Sequence, residues 1–356
     1  MNVTLFPANR LSDAHVEHWS QLQAANPDLS SPFFHPNYAR EAAAVYGNVE
    51  VAVLEEDGEP AGYFPFQRTA RNVGIPMSGS LCDFQGVIAR PGFTWDATAL
   101  VRACGLAGWR FTQLIAAQQP FQPYHWFTDE SHSIDLSEGF DAYCRQRKES
   151  GSTFVSRIAD KRRKAIRELG PLRFEPYADD PQVFVAMVEW KSQQYRRIRA
   201  VNPLTKPGTR DFLKRLLARR DDECHGILSA MYLGERLVAV HMGMRCRNVL
   251  HLWFPTYDED LGKLSPGMIF LVEQIRAAAK LGLQRIDMGR GHEKFKTSLR
   301  TFGTPVAEGS VGLGLVSTTV RRSWLYTRKW VQASRFREPA RSVVRKVRGL
   351  FLRTAH

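Results

Sequence analysis

The sequence predicts an α+β protein made of two related halves, each joining helices to a small meandering sheet. In the first half, residues 49–68 form two strand-like runs joined at Asp57-Gly58, a dipeptide typical of tight hairpin turns. In the second half, residues 225–246 repeat this pattern around Gly234-Glu235. Helical stretches precede the hairpins, at 37–46, 180–199 and 209–219. One scheme used twice therefore indicates two similar units.

Length and composition agree with this division. The 356 residues suffice for roughly two domains of about 150 residues. With 44% hydrophobic and 24% charged residues, the chain is typical of globular proteins and unlike disordered, collagen-like or coiled-coil ones. We expect domains at 1–145 and 146–320, with a linker between about 131 and 152, and a separate tail at 321–356.

The second half continues as a β-α-β unit. Residues 248–254 and 283–288 are predicted strands, and residues 265–281 show the apolar spacing of a helix. Ser265 stands at the N-cap position with Pro266 next to it, and Gly282 stands where a C-terminal cap belongs. A right-handed crossover should make the two strands parallel neighbours.

The net charge of +13 is concentrated in the tail, where residues 321–356 hold eleven Lys or Arg and one acid, Glu338. The remaining chain is nearly balanced, which argues against a general polyanion-binding protein, and no specific nucleic acid is expected. Apolar side chains alternate with the cations of the tail. This composition suits a helix lying on an anionic membrane surface, or else a disordered basic tail with nonspecific affinity for RNA.

Neither disulfides nor membrane spans are expected. The five Cys residues form no C-x-x-C pair and are odd in number, which favours a reducing cytosol. No apolar run reaches 18 residues, and the first residues lack a secretory pattern. We therefore expect a cytoplasmic protein, with the tail allowing peripheral binding at the inner face of the membrane.

The usual catalytic signatures are absent. The sequence contains no G-x-S-x-G elbow, Walker A loop, G-x-G-x-x-G turn, H-E-x-x-H or paired Cys/His zinc spacing, so no metal is expected. What remains is the helix start at Ser265-Pro266-Gly267. Its unpaired N–H groups and positive dipole end can bind an anion, although an ordinary helix cap has the same sequence pattern.

Residues 251–299 resemble the GNAT acyltransferases of the CelD/BcsL group, which are associated with cellulose and other exopolysaccharide synthesis. The likeness rests on the Ser-Pro-Gly helix start, the Asp287-Met-Gly-Arg-Gly strand end and the Phe295-Lys296 pair that follows. Weaker echoes lie at 81–89, 190–197 and 160–169, so that the likeness extends over roughly 30–300. The doubled architecture also resembles that of FemAB aminoacyltransferases.

The resemblance implies two tandem GNAT-like domains, with mixed twisted sheets flanked by helices and a basic C-terminal helical tail. It implies that acyl-CoA, acetyl-CoA first of all, enters where two neighbouring strands splay apart. The implied cofactor-binding residues are Trp253, Phe254, Lys263, Ser265, Gly267 and Met268. An acceptor would attack the thioester directly, without a covalent enzyme intermediate. The first half lacks the cofactor turn and is expected to complete the acceptor groove.

Three residues are candidates for proton transfer. Asp287 at the end of its strand is the first, with turn capping as the alternative. His241 is the second, with a satisfied core histidine as the alternative, and Tyr195 on a polar helix face is the third. Candidate substrate-binding residues are Asp83, Gln85, Lys191, Gln194, Arg290 and Lys294.

The acceptor implied by the resemblance is an amine or hydroxyl of a sugar or exopolysaccharide precursor. Two other functions stay open. A FemAB-like transferase using charged tRNA would explain the basic helix at 157–167, and a catalytically silent binding protein of polysaccharide synthesis would need only the cofactor site.

Overall fold

The computed structural model describes residues 2–219 and 223–312. Its strands are β1 (Asn2–Pro7), β2 (Val49–Glu56), β3 (Glu59–Arg68), β4 (Val73–Ile75), β5 (Ile88–Ala89), β6 (Gly108–Ile115), β7 (His125–Asp135), β8 (Leu172–Glu175), β9 (Cys224–Leu233), β10 (Arg236–Cys246), β11 (Val249–Tyr257), β12 (Arg285–Arg290) and β13 (Phe302–Val311). Its helices are α1 (Asp13–Ala24), α2 (Pro36–Tyr46), α3 (Ala97–Ala103), α4 (Gly139–Glu149), α5 (Phe154–Leu169), α6 (Pro181–Arg197), α7 (Thr209–Ala218), α8 (Pro266–Lys280) and α9 (Lys294–Leu299).

One mixed sheet runs through both halves in the order β1-β2-β3-β4-β6-β13-β7-β12-β11-β10-β9-β8, with β5 paired to β3. The two halves meet where β7 pairs antiparallel with β12. Strand β13, although late in the chain, lies between β6 and β7 of the first half. The predicted α+β class with a mixed sheet and flanking helices is confirmed, and the halves are joined by strand exchange.

The first predicted hairpin has the backbone of its turn. Strands β2 and β3 pair antiparallel around Asp57 and Gly58, whose φ angles are 54° and 85°. Positive φ at both central residues is the geometry that matches the right-handed twist of the flanking strands. The second hairpin, β9–β10, turns at Gly234 with φ 56°. Both hairpin predictions are confirmed.

The β-α-β unit is also confirmed, because β11 and β12 are parallel neighbours joined through α8, with Gly282 at φ 73° beyond its end. The prediction for Ser265 is only half right. Ser265 stands at the N-cap position, but its φ of 57° and ψ of 48° turn its side chain away from the helix N–H groups. Its Oγ instead accepts a hydrogen bond from Lys161 Nζ of α5 at 2.5 Å.

The predicted linker at 131–152 is wrong, because this segment holds the end of β7 and all of α4. Ile134 and Tyr143 are buried there, so that both elements belong to the core. Alternation in 131–136 and helical spacing in 139–149 are obscured by polar residues, which made the segment look like a connection. The tail predicted at 321–356 lies outside the described residues.

The largest buried cluster contains residues of both halves. Phe33 and Tyr38 come from the first half and Phe212 from the second, and the partly buried Trp253 packs against them. The four rings contact one another at centroid distances of 5.0–6.3 Å. A second cluster packs α4, α5 and α8 onto the opposite face of β9–β12. Among the described helices, none is both long enough and apolar enough to cross a membrane.

Candidate functional site

A notch opens in the sheet between β11 and β12. The two strands pair at Val249–Arg285, Leu250–Ile286 and His251–Asp287, after which β11 continues to Tyr257 without these partners. Bulges flank the notch. Between the β10–β11 pairs Met242–Phe254 and Met244–His251, β11 advances by one residue more than β10. β12 likewise shifts against β7 between Asp287 and Gly289. Bulges bend and twist strands, and here they separate two parallel neighbours.

Asp83 brings a carboxylate from the first half to this notch. It lies in the loop between Leu81 and β5, and its Oδ2 is 3.0 Å from Nε2 of His251 on β11. Its Oδ1 accepts a hydrogen bond from Gln113 Nε2 at 2.7 Å. Burial alone would raise the pKa of the Asp83 carboxyl, but the hydrogen bonds from His251 and Gln113 and the charges of His251 and Lys296 bring it below its usual value.

His251 is enclosed, with no exposed side-chain surface, whereas the Asp83 side chain keeps 23% of its surface exposed. The Phe33 ring meets the imidazole edge to face at a centroid distance of 4.8 Å. Because an ionised carboxylate can only accept, Nε2 of His251 must carry the proton of their hydrogen bond. Nδ1 is buried and has no hydrogen-bond partner among the described residues.

Helix α6 contributes a lysine and a tyrosine to the same place. Lys191 Nζ donates to the carbonyl oxygen of Pro255 at 2.9 Å, within the unpaired stretch of β11, and lies 5.6 Å from the centre of the Tyr195 ring. Burial, together with the charge of Lys296, lowers the pKa of Lys191 to about 8, while Glu293 acts in the opposite direction. Burial and the nearby Asp83 raise the pKa of Tyr195 to about 12, so that its phenol stays protonated.

Lys296 of α9 closes the notch on the β12 side. It is buried, and its Nζ donates to the carbonyl oxygen of Arg290 at 2.9 Å, with Glu293 at 3.4 Å. The chain can bend back here because Gly289 has φ 72°. A Cβ at Gly289 would also lie 3.2 Å from Asp83 Oδ2, so that this glycine leaves room for the carboxylate.

The start of α8 lies just beyond the end of β11. Pro266 has no N–H, so Gly267 provides the first backbone donor of the helix. The position of a Cβ on Gly267 would be 2.6 Å from the Tyr257 ring. The glycine therefore leaves room for the Tyr257 ring, while close approach of a ligand at Gly267 stays a prediction. Lys161 Nζ adds a positive charge at Ser265.

The structure places Asp287 inside a buried ion pair. Its side chain has no exposed surface and accepts hydrogen bonds from Ser133 Oγ at 2.8 Å and Arg285 Nη2 at 2.9 Å. Asp287 stands in the last β11–β12 pair, opposite Ser133 of β7, and Arg285 lies two residues earlier in the first pair, so that the ion pair lies below the notch. The first sequence candidate for proton transfer thus has its carboxylate engaged by protein donors.

His241 is likewise enclosed. Burial, followed by the charges of His251 and Lys191, lowers its pKa to about 3, which keeps the imidazole neutral. Its Nε2 accepts the backbone N–H of Trp253 at 3.3 Å. The alternative reading, a core histidine, describes this placement, although its Nδ1 has no partner among the described residues.

The other sequence candidates are scattered. Gln85 fixes its loop to β6 by accepting the N–H groups of Thr112 and Gln113, and Arg290 donates to the carbonyl oxygen of Thr112. Gln194 is half-buried, with Oε1 unpartnered among the described residues, and Lys294 is exposed. Of the implied cofactor residues, Phe254 is buried, Trp253 packs on the aromatic cluster, Lys263 is exposed and Met268 is half-buried.

Asp83, Lys191 and Tyr195 therefore meet at the notch, as members of one cluster. His251 and Gln113 complete it, and sequence reasoning did not single them out. His251 stands within the apolar run 249–254 of an ordinary strand, and Gln113 lies in β6, 30 residues from Asp83. Local sequence held no signal for either, because their roles depend on a contact between the halves.

A pH-dependent effect on stability follows from Lys191. Below about pH 8 the folded protein must carry its buried charge, whereas the unfolded chain carries this charge in water. Between about pH 8 and pH 10 the unfolded chain still holds the proton that the folded protein has lost, so stability rises with pH. We expect the free energy of unfolding of Lys191→Met to compare best with that of wild type near neutral pH. This advantage in stability should disappear towards about pH 10.

Urea unfolding of both proteins at the two pH values measures this difference. Lys164→Met on the exposed surface of α5 is the control, since the Lys164 side chain is 56% exposed. The difference in the free energy of unfolding between Lys164→Met and wild type should be the same at both pH values. A difference for Lys191→Met that is equal at both pH values would contradict the prediction.

Comparisons with known proteins bear on the fold. Residues 152–297 match the family model of the acetyltransferase (GNAT) domain. FemX has 10% identity and a TM-score of 0.57, covering 87% of this chain and 96% of that chain. The C-terminal domain (DUF2156) of a putative lysylphosphatidylglycerol synthetase from Agrobacterium fabrum has 13% identity and a TM-score of 0.55, covering 87% and 95%. L-PGS from Bacillus licheniformis has 10% identity and a TM-score of 0.54, covering 88% and 96%.

No curated protein sequence matches this chain. The structural likenesses, at these low identities, establish a shared fold and leave substrates open. Together with the domain match, they confirm the predicted GNAT-like α+β fold. The domain match supports an acyltransferase. The narrower likeness to the CelD/BcsL group stays a prediction.

Proposed function

We propose that this protein is an acyl-CoA-dependent acyltransferase in which the acceptor attacks the thioester directly, with acetyl-CoA as the first donor to test. The observation that carries the proposal is the notch between β11 and β12, with an ionisable cluster beside it and the start of α8 at its end. In line with the sequence resemblance, the acceptor is an amine or hydroxyl of a sugar or exopolysaccharide precursor.

The start of α8 fits a diphosphate. A helix N-terminus offers backbone N–H groups and a positive dipole end. The N–H groups of Met268 and Ile269 bond to the carbonyl oxygen of Ser265. Gly267 is therefore the residue of this turn that would offer its N–H to the anion. Lys161 Nζ is held there by a neutral hydroxyl, Ser265 Oγ, so that its charge is available to an anion. The exposed Lys263 lies in the same loop. These groups would bind the pyrophosphate, and the thioester would lie along the unpaired stretch of β11.

The cluster supplies what direct transfer needs. Tyr195, protonated at neutral pH, can donate its proton to the departing thiolate. Lys191 Nζ already points at a backbone carbonyl of β11, the strand along which the thioester would lie. No enzyme nucleophile is required, because the thioester is itself an activated acyl group and the site needs only to hold the two reactants together.

Binding of acetyl-CoA should be visible as a rise in melting temperature. A ligand at about 100 times its Kd stabilises the folded state by about 2.7 kcal/mol. We expect Lys161→Gln to weaken acetyl-CoA binding by about tenfold or more, because a charge-assisted hydrogen bond to a phosphate is worth about 1.5–3 kcal/mol. A thermal-shift titration with acetyl-CoA, longer acyl-CoAs and CoA measures both effects.

Lys164→Gln is the matched control, three residues further along the same helix. Lys164 pairs with Glu168 at 3.7 Å and its side chain is 56% exposed. Equal weakening by both variants would indicate general charge attraction. A melting temperature unchanged by every CoA compound would refute the acyl-CoA assignment.

A transferase using charged tRNA is the second candidate, and the basic helix α5 is the observation that favours it. Three of its cations are already paired within the protein, namely Arg162 with Glu273, Arg163 with Asp160, and Lys164 with Glu168. This pairing reduces the charge available to a polyanion. Salt-sensitive tRNA binding together with no response to acyl-CoA would favour this candidate. Tight acyl-CoA binding without turnover would favour a silent binding protein.

A further inference from the structure

The acceptor must lose a proton during transfer, and the ionisable side chains at the notch differ in their ability to take it. Tyr195 is protonated, and so at neutral pH is Lys191, whose pKa of about 8 lies above it and whose Nζ donates to the carbonyl oxygen of Pro255. Lys296 uses its ammonium group to donate to the carbonyl oxygen of Arg290. His251 cannot be reached, because its Nδ1 is enclosed and its Nε2 faces Asp83. The Asp83 carboxylate remains, with 23% of its side chain exposed.

Asp83 is also held more firmly than an ordinary loop residue. His251 donates to Oδ2 at 3.0 Å and Gln113 donates to Oδ1 at 2.7 Å, so that each oxygen keeps a further lone pair for a ligand. The close approach to Gly289 fixes the carboxylate against β12. Such positioning by neighbouring side chains is what a catalytic group requires.

We propose that Asp83 accepts the proton of the attacking group, that His251 positions Asp83, and that the acceptor is an amine. This inference rests on the proposed acyl transfer. The catalytic site is then composite, with its proton acceptor in the half that lacks the cofactor turn.

The lone pair of the neutral amine forms a C–N bond to the thioester carbon, and the carbonyl π pair moves to oxygen. The nitrogen, now positive, passes one proton to Asp83. The oxygen pair then returns, the C–S bond breaks with its electrons on sulfur, and Tyr195 donates a proton to the thiolate. The proton on Asp83 then passes through water to the Tyr195 phenolate, which restores the phenol and the carboxylate. The products are an amide and CoA thiol.

The state of Asp83 distinguishes amines from hydroxyls. His251 and Gln113 hold it as an acceptor-only anion, and its pKa lies below the usual value despite burial. A carboxylate of this kind is too weak a base to remove the proton of a hydroxyl. It can accept a proton from a nitrogen that has become positive on attack, because that nitrogen is a far stronger acid than a hydroxyl.

His251 acts through Asp83, so that replacing it should change the pH dependence of kcat/KM as well as the stability of the fold. Without its hydrogen bond the pKa of Asp83 should rise, because burial would be less opposed. In His251→Leu the acidic limb of the kcat/KM profile should therefore move to higher pH. His251→Gln retains an N–H donor and should move part of the way back. A merely structural role would lower activity without moving this limb.

Release of CoA thiol from acetyl-CoA is the assay, with two matched acceptor pairs at high concentration, glucosamine against glucose and ethylamine against ethanol. We expect release with the amines and none above background with the alcohols. Asp83→Asn should lower kcat/KM for the amines by about 10²-fold or more. Glu50→Gln is the control, since Glu50 has the same 23% side-chain exposure but pairs with Arg68 in β3. The acetyl-CoA thermal shift should persist in every variant.

The outcomes separate this inference from the proposed function. No thermal shift with acetyl-CoA in the wild-type protein overturns both. A normal shift overturns this inference alone when Asp83→Asn keeps its rate or when alcohols react as fast as amines. A normal shift without CoA release by either class also overturns this inference, and it favours the silent binding protein over the proposed transfer.

Discussion

Asp287→Asn is expected to lower the free energy of unfolding by about 3–5 kcal/mol, the usual effect of removing one partner of a buried ion pair. Arg285, whose side chain is only 18% exposed, would keep its charge without the carboxylate that faces it. Ser133 would also lose a charged acceptor at 2.8 Å. Urea unfolding followed by circular dichroism measures the change.

The matched control is the double variant Arg285→Met, Asp287→Leu. Replacing both partners by apolar residues of similar size is often neutral or stabilising, so it should recover most of the lost stability. Transfer activity per folded molecule should survive in Asp287→Asn. Unchanged stability with abolished transfer would instead make Asp287 the proton acceptor, as the sequence first suggested.

Phe33→Ala is expected to cost about 3–5 kcal/mol, the range for truncating a fully buried phenylalanine. Phe33 is 1% exposed and belongs to the first half, yet its ring contacts His251 at 4.8 Å and Trp253 at 5.6 Å in the second. The cavity would therefore open where the halves meet. Because β13 and β7 also join them, we expect one cooperative transition at a lower urea concentration.

Phe302→Ala is the control, since Phe302 is 39% exposed and should lose well under about 1 kcal/mol. Circular dichroism and tryptophan fluorescence should report the same midpoint in every variant. Two separate transitions, or equal effects of the two substitutions, would contradict a core shared between the halves.

Local patterns were sufficient for the hairpins and for the β-α-β unit. Asp57-Gly58 has the positive φ angles that its hairpin needs, and Gly282 ends α8 as its position indicates. These features depend on residues close in sequence, whose steric preferences act wherever the segment is placed. The same reasoning failed for 131–152, where polar residues hide a strand and a helix whose buried sides face distant partners.

The candidate site likewise has features that local sequence indicates and features that only the tertiary structure sets. Residue types and spacing predicted an anion-binding helix start at Ser265-Pro266-Gly267, which stays a prediction, and the sequence candidates included Asp83, Lys191 and Tyr195, which the fold brings together. The pairing of Asp83 with His251 across 168 residues, and of Asp287 with Ser133 across 154 residues, was decided by the sheet, whereas Arg285 is a near neighbour of Asp287 on the same strand. A carboxylate becomes a structural ion pair or an exposed base according to which donors the fold brings within 3 Å of it, and apart from Arg285 those donors come from strands that only tertiary pairing makes neighbours.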